Sequence, residues 1–299
     1  MKQSRQRHHY IPEFYLKQWA NPQGKYKGQV YEFCKRYKGI LPRPTFPAGT
    51  GYVENLYTLS GFPPDKSQIM ENQFFKITDQ LANDALQILL DDKVSNLSID
   101  LMSGWSRFIL SLIHRNPEKI AWIRTKIANE LNISSKEMKE NYEKIRRPQD
   151  PATVEEYVEN PSNNSREVAF GMLLKAMVDS DTIGNYLNRM KWSIIFVKNP
   201  SYPLLTSDRP VVMSDGIKYD HSYIIVPISS TALFLAVNTQ ETERKIQEIP
   251  IQDLIKTVNH TVVSQAVKFV YGSDERQLCF IRNRLGRKPA QFIGADRRS

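Results

Sequence analysis

What this chain lacks is informative. Its 299 residues contain no GxGxxG, no GxxxxGK[ST], no GxSxG and no HExxH. The glycine-rich phosphate cradle, the hydrolase elbow and the zincin helix are therefore all excluded. Cysteine is nearly missing: Cys34 and Cys279 lie far apart with no Cys neighbour, which leaves neither a disulfide framework nor a Cys-based zinc site. No apolar run approaches the ~18 residues that span a bilayer. The opening Met1-Lys2-Gln3-Ser4-Arg5 is basic with no apolar stretch behind it, unlike a secretory signal. These absences together point to a protein of a reducing cytoplasm with no membrane partner. Histidine is also scarce, five in all, so each one bears inspection.

What is present suffices for a core. Hydrophobic residues make up 40% and charged residues 24%, ordinary globular usage. The net charge of +9 is uneven: residues 1–43 carry +8, residues 276–299 carry +6, and the middle is left at −5. Basic ends imply a nucleic-acid partner, because clustered Lys and Arg release counterions from phosphates. Solubility alone is the plainer explanation of such tails. Nothing in the pattern sets an oligomeric state.

The chain reads as four regions. Residues 1–64 are strand and loop, punctuated by Pro and Gly between Gly39 and Pro64, where no long helix fits. Strands are expected at Gln29–Cys34 and Leu56–Leu59. Residues 65–190 are helical. Met70, Phe74, Ile77, Leu81, Ala85 and Ile88 form one stripe, Ile99–His114 is a buried helix, and Asn116-Pro117 opens the next. A short helix at Lys136–Ile145, capped from Ser134 or Ser135, and one from Ser165 to about Met190 follow. Residues 191–285 return to strands at Trp192–Val197, Tyr223–Ile228 and Ala232–Val237, then a helix at Ile251–Ala266 and a last edge strand at Gln277–Ile281. Residues 286–299 form a basic tail. The expected fold is α+β: one domain in which an N-terminal hairpin joins a mainly antiparallel C-terminal sheet, packed against a helical bundle. A split near residue 190 is the two-domain alternative.

Several polar residues stand out. His8 and His9 are adjacent in an extended segment, so they face opposite ways and one alone can enter a site. A basic, exposed tail is the bland reading. Thr206-Ser207-Asp208-Arg209-Pro210 lies between expected strands, where Asp208 suits a metal or a histidine partner and Ser207 suits a phosphate. The bland reading is a turn that satisfies its own backbone. Glu71 and Asp79 sit a little over two turns apart beside the helical stripe. Arg107 and His114 have a spacing known in one class of metal-independent ribonucleases, against the commoner buried His near a helix end. Arg115 is placed to reach a carboxylate, and Asn259, a poor helix former, suggests a tie from helix to sheet.

Taken together, the segment from His8 to Leu16, Asn55-Leu56-Tyr57, Met70-Glu71, His114-Arg115-Asn116-Pro117 and Thr206-Ser207-Asp208-Arg209-Pro210-Val211 resemble the bacterial family called domain of unknown function 4238. The resemblance implies kinship across most of the chain and no reaction. It places His9, Glu71, Arg115, Ser207 and Asp208 in one shared pattern, with His114 outside it. Two functions follow as expectations. In the first, a hydrolase cleaves phosphodiester or phosphoryl bonds in nucleic acid, in a defence or toxin setting. There His9, with His8, Glu71 and Asp208, acts as acid, base or ligand set for a divalent metal, Ser207 assists, and Arg115 steadies the developing charge. In the second, a non-catalytic module binds nucleic acid or protein, and the His-Tyr-Ile-Pro segment is a clamp anchored by Tyr10, Phe14, Tyr15 and Trp19.

Overall fold

The computed structural model describes residues 5–287 apart from 38, 132–135, 199 and 215. The expected Ser134 or Ser135 cap and most of the basic tail lie outside the described residues. In chain order the strands are β1 (Arg7–His9), β2 (Val30–Arg36), β3 (Gly39–Thr45), β4 (Tyr52–Glu54), β5 (Lys191–Phe196), β6 (Thr206–Ser207), β7 (Val212–Met213), β8 (Tyr223–Ser229), β9 (Ala232–Val237) and β10 (Phe269–Gly272). The helices are α1 (Glu13–Leu16), α2 (Pro64–Ser67), α3 (Lys76–Leu90), α4 (Ile99–His114), α5 (Pro117–Leu131), α6 (Lys136–Ile145), α7 (Val154–Glu159), α8 (Ser165–Val178), α9 (Asp181–Arg189), α10 (Gln240–Gln247), α11 (Ile251–Gln265) and α12 (Leu278–Arg282). The fold is α+β.

The chain divides into two compact units, each built from separate segments. The first takes the residues up to His8, Val53–Ile77 and His114–Ser180; the second takes His9–Tyr52, Thr78–Ile113 and everything from Asp181.

The second unit holds two four-stranded sheets, ordered β3-β2-β10-β6 and β5-β9-β8-β7, with antiparallel pairing throughout. The N-terminal hairpin of β2 and β3 therefore does join C-terminal strands. Pro42 and Pro44 are tolerated because β3 is an edge strand, paired on one side only. Helix α11 serves both sheets. Leu254, Ile255, Val258 and Val262 pack with Val212, Ile225, Leu233 and Leu235, while Val263 and Ala266 pack with Phe33, Leu205 and Val270. Each such aliphatic side chain contributes about 1.5–3 kcal/mol on burial. The opposite face of α11, with Gln252, Asp253, Lys256 and Thr257, is exposed.

The first unit is helical. Ile120, Ile123 and Ile127 of α5 meet Phe170, Leu174 and Val178 of α8, together with Tyr57, Leu59, Met70 and Phe75. Asn116 caps α5 by accepting from Lys119 N at 2.9 Å, with Pro117 at the first helical position as expected.

Four expectations need correction. Leu56–Leu59 forms no strand: Asn55 adopts a left-handed φ of 54° and the chain turns over residues 55–57. The long helix from residue 65 is interrupted by a π-helical segment, Met70–Phe75. Its wider turn rotates the stripe, so that Phe75, Thr78, Ala82, Ala85, Leu86 and Leu89 are buried and Ile77 is exposed. The helix expected to run to Met190 breaks at Asp179-Ser180 into α8 and α9, a run of residues that compete for backbone hydrogen bonds. Gln277–Ile281 forms helix α12 rather than a strand; the pairing strand is β10.

Candidate functional site

The Thr206–Pro210 turn sits in the second unit, and its polar atoms serve backbone. Asp208 accepts from the amides of Val267 (2.9 Å), Lys268 (2.6 Å) and Phe269 (3.0 Å), and its own amide donates to Phe269 O at 3.0 Å. Both carboxylate oxygens are thus committed to the start of β10. Burial pushes this carboxyl above the usual range, against the pull of Arg209 and the three amides. Ser207 Oγ donates to Val262 O at 3.0 Å and accepts from Arg209 N at 3.0 Å. Thr206 Oγ1 lies 2.7 Å from the hydroxyl of Tyr15, which also donates to Pro227 O at 2.7 Å. Trp19 donates its indole N–H to Leu204 O at 2.7 Å. Asn259 joins α11 to the same segment, accepting from Leu205 N at 2.8 Å and donating to Pro203 O at 3.0 Å. The tie suggested by an Asn inside a helix is therefore present.

The opening segment divides between the units. In the first unit His8 is fully buried. Its Nδ1 accepts from Tyr57 N at 3.2 Å, so its Nε2 carries the proton and donates to Gln68 Oε1 at 2.8 Å. The ring also stacks on Tyr57 at 4.5 Å. With both nitrogens engaged, His8 pins the turn after β4. In the second unit His9 is half-buried, 3.8 Å from Glu13 and edge-on to Tyr52 at 5.5 Å. The next residues dock through backbone: Tyr10 N and Ile11 N both donate to Gly51 O, at 2.9 and 3.1 Å. Gly51 has φ +67°, and a Cβ there would sit 3.1 Å from Ile11 Cβ. Tyr10, Tyr15 and Trp19 are buried anchors; Phe14 is half-buried and meets Phe108 at 5.2 Å.

Glu71 and Arg115 belong to the first unit. Glu71 stands on the π-helical segment, a class of helix frequent at functional sites. The Arg115 side chain is fully buried, its guanidinium carbon 5.3 Å from the ring of Phe75, one turn on from Glu71. Beside it, burial and Lys119 depress His114 to about 4, which makes a neutral, interior ring of it.

His9, Glu71 and Asp208 were expected as metal ligands. Among the described residues no group of three or more His, Cys, Asp or Glu is able to hold a metal ion, and Asp208 has already given both oxygens to backbone. The donor set does not fit a divalent metal.

The second unit also contains a cleft that the motifs did not indicate. It has a volume of about 470 Å³ and is lined by Tyr202, Lys256, Arg276, Phe280 and Arg284, with Asp253, Cys279 and the amides of Asn259 and Gln277. The floor is rigid: Asn259 Nδ2 donates to Gln277 Oε1 at 3.2 Å, and Gln277 Nε2 donates to Pro203 O at 2.7 Å. Arg276 is held by Asp274 at 2.7 and 2.9 Å. The Arg284 guanidinium lies 4.1 Å over Phe280, and its buried Nε has no hydrogen-bond partner among the described residues. The one sequence signal for this cleft was the basic balance beginning at Arg276.

A family model described as a protein of unknown function, DUF4238, matches residues 7–276. No curated protein and no solved structure matches the chain.

Proposed function

Because the chain belongs to the DUF4238 family, whose description carries no reaction, we propose from its own geometry that it is a nucleic-acid-binding protein. In this reading the His-Tyr-Ile-Pro segment and the Thr-Ser-Asp turn are structural. The observation that carries it is the cleft lined by Lys256, Arg276 and Arg284 beside Tyr202 and Phe280. Cations follow a phosphate backbone, and aromatic rings accept bases without regard to sequence. The engagement of Ser207 and Asp208 with backbone groups supports the non-catalytic side of the reading. The test is a titration of the full chain against a fluorescent single strand over a salt series. Binding is expected to weaken as salt rises, with a slope of log K on log salt of about −0.7 for each phosphate neutralised. Absence of binding at low salt, or binding indifferent to salt, overturns it.

Phosphodiester hydrolysis is a second reading with one observation in its favour. Glu71 stands on its π-helical segment in the same unit as Arg115; a carboxylate base and a guanidinium for developing charge are the groups hydrolysis uses. Glu71→Gln and Arg115→Lys are expected to abolish cleavage of a labelled strand while the far-ultraviolet spectrum is kept. Cleavage that survives both changes removes this reading.

A further inference from the structure

We propose that the cleft of the second unit takes one unstacked nucleotide of a single strand, its base on Tyr202 and its phosphodiester on Arg284; this rests on the nucleic-acid reading above. Three observations lead there. First, the space of about 470 Å³ is that of a small-ligand pocket, within the usual ~300–1,000 Å³, and accommodates a nucleotide rather than a helix. Second, Tyr202 presents its ring at the rim with 56% of its surface exposed. A ring face of this kind recognises a base only where the base is free of its own stack, as in a single strand.

Third, the cations are prepared for one phosphate. The Arg284 guanidinium carbon lies 4.1 Å from the centre of the Phe280 ring, and its Nη1 donates to Phe280 O at 3.2 Å. Its Nε, shielded from solvent, has no acceptor among the described residues. That nitrogen is out of a ligand's reach, but Arg284 lines the cleft half-buried, and its terminal Nη donors are left to meet a phosphate oxygen. Lys256 is exposed on the same lining and adds a second donor. Arg276 is largely neutralised by Asp274, and Asp253 subtracts a further charge from the lining. The balance suits a singly charged phosphodiester better than a doubly charged terminal phosphate.

Cys279 makes the cleft addressable. It is an exposed free thiol on the lining, whereas Cys34 is buried and serves as the internal control. The experiment measures maleimide labelling of Cys279 and binding of a labelled strand, in the full chain and in Tyr202→Ala and Arg284→Gln, with DNA and RNA strands and the matching duplex as separate arms. The strand is expected to slow Cys279 labelling several-fold. Tyr202→Ala should weaken binding by about 10-fold, the loss of one base stack, and Arg284→Gln should lower the salt slope by about 0.7. The DNA and RNA arms decide which strand is taken, since the 2′-hydroxyl is what separates them. Binding that persists unchanged in both variants with Cys279 unprotected overturns the cleft and leaves the nucleic-acid reading standing. A duplex that binds as tightly as the strand overturns the single-strand form. No binding of any nucleic acid overturns both.

Discussion

Asp208 is the residue on which a catalytic and a structural reading of the Thr-Ser-Asp turn diverge. Its carboxylate receives three amide hydrogen bonds, from Val267, Lys268 and Phe269, and so fixes the strand β10 that links β2 to β6. A hydrogen bond to a charged group contributes about 1.5–3 kcal/mol. The sum of three is an upper bound, because desolvation of the ionised carboxyl offsets part of it. Asp208→Ala leaves three amides without an acceptor and should cost about 3–5 kcal/mol. Asp208→Asn keeps the shape and one oxygen but turns an N–H₂ toward amide donors, and should cost about 2–3 kcal/mol. Against a domain stability of about 5–15 kcal/mol, both losses are readily measured. The assay is guanidinium denaturation, with the midpoint shifting and the slope unchanged, alongside strand binding at a temperature where each variant is folded. The structural reading requires a stability loss with binding kept. Variants as stable as the parent to within about 0.5 kcal/mol refute it, and if they also lose function, Asp208 belongs to the chemistry.

Three further outcomes follow from the same geometry. His114 is held neutral down to about 4, below its ordinary 6.5, so the unfolded chain binds the proton first and stability must fall as pH drops through that window; the full effect is about 3 kcal/mol, and His114→Phe should flatten the pH dependence of the denaturation midpoint. Tyr15→Phe removes the hydroxyl shared by Thr206 and Pro227 O and should cost about 1–3 kcal/mol by calorimetry; an unchanged melting point would mean that hydroxyl holds nothing. Gly51→Ala forces a Cβ onto a residue at φ +67° and against Ile11, with an expected loss of about 2 kcal/mol or more; a neutral result in the same assay would show that the docking of Tyr10 and Ile11 is not constrained by Gly51.

Much of the fold is local and was legible. Asn116-Pro117 starts a helix because the cap and the fixed φ act within four residues. Strands β2, β8 and β9 declare themselves through β-branched, aromatic and aliphatic composition, whereas β3, with Pro42 and Pro44, does not, and its pairing with β2 had to come from the structure. The helical tie of Asn259 was visible as a residue out of place, though its acceptors were not. The π-helical turn at Met70–Phe75 left no such trace, since a period of hydrophobicity cannot record one inserted residue; Met70 and Ala85 are buried as expected, while burial at Phe74, Ile77, Leu81 and Ile88 falls one position later. Residues 278–282 look like a strand and are a helix because Ile281 fills the space between Phe33, Leu205 and Val270, a vacancy that exists only once β2 and β10 are paired.

The candidate site divides the same way. The sequence carries none of the familiar phosphate-loop, elbow or zincin motifs and is basic at both ends, and its resemblance to the family implied a small set of polar residues in one pattern. It could not say which of them face one another. Asp208 reads as a ligand until the amides of residues 267–269 are seen around it, and His8 reads as an exposed tail until Tyr57 and Gln68 enclose it. Hydrogen-bond partners and burial belong to residues far apart in the chain, so only the tertiary structure could convert these polar groups from candidates into supports, and bring Tyr202, Lys256 and Arg284 to one cleft.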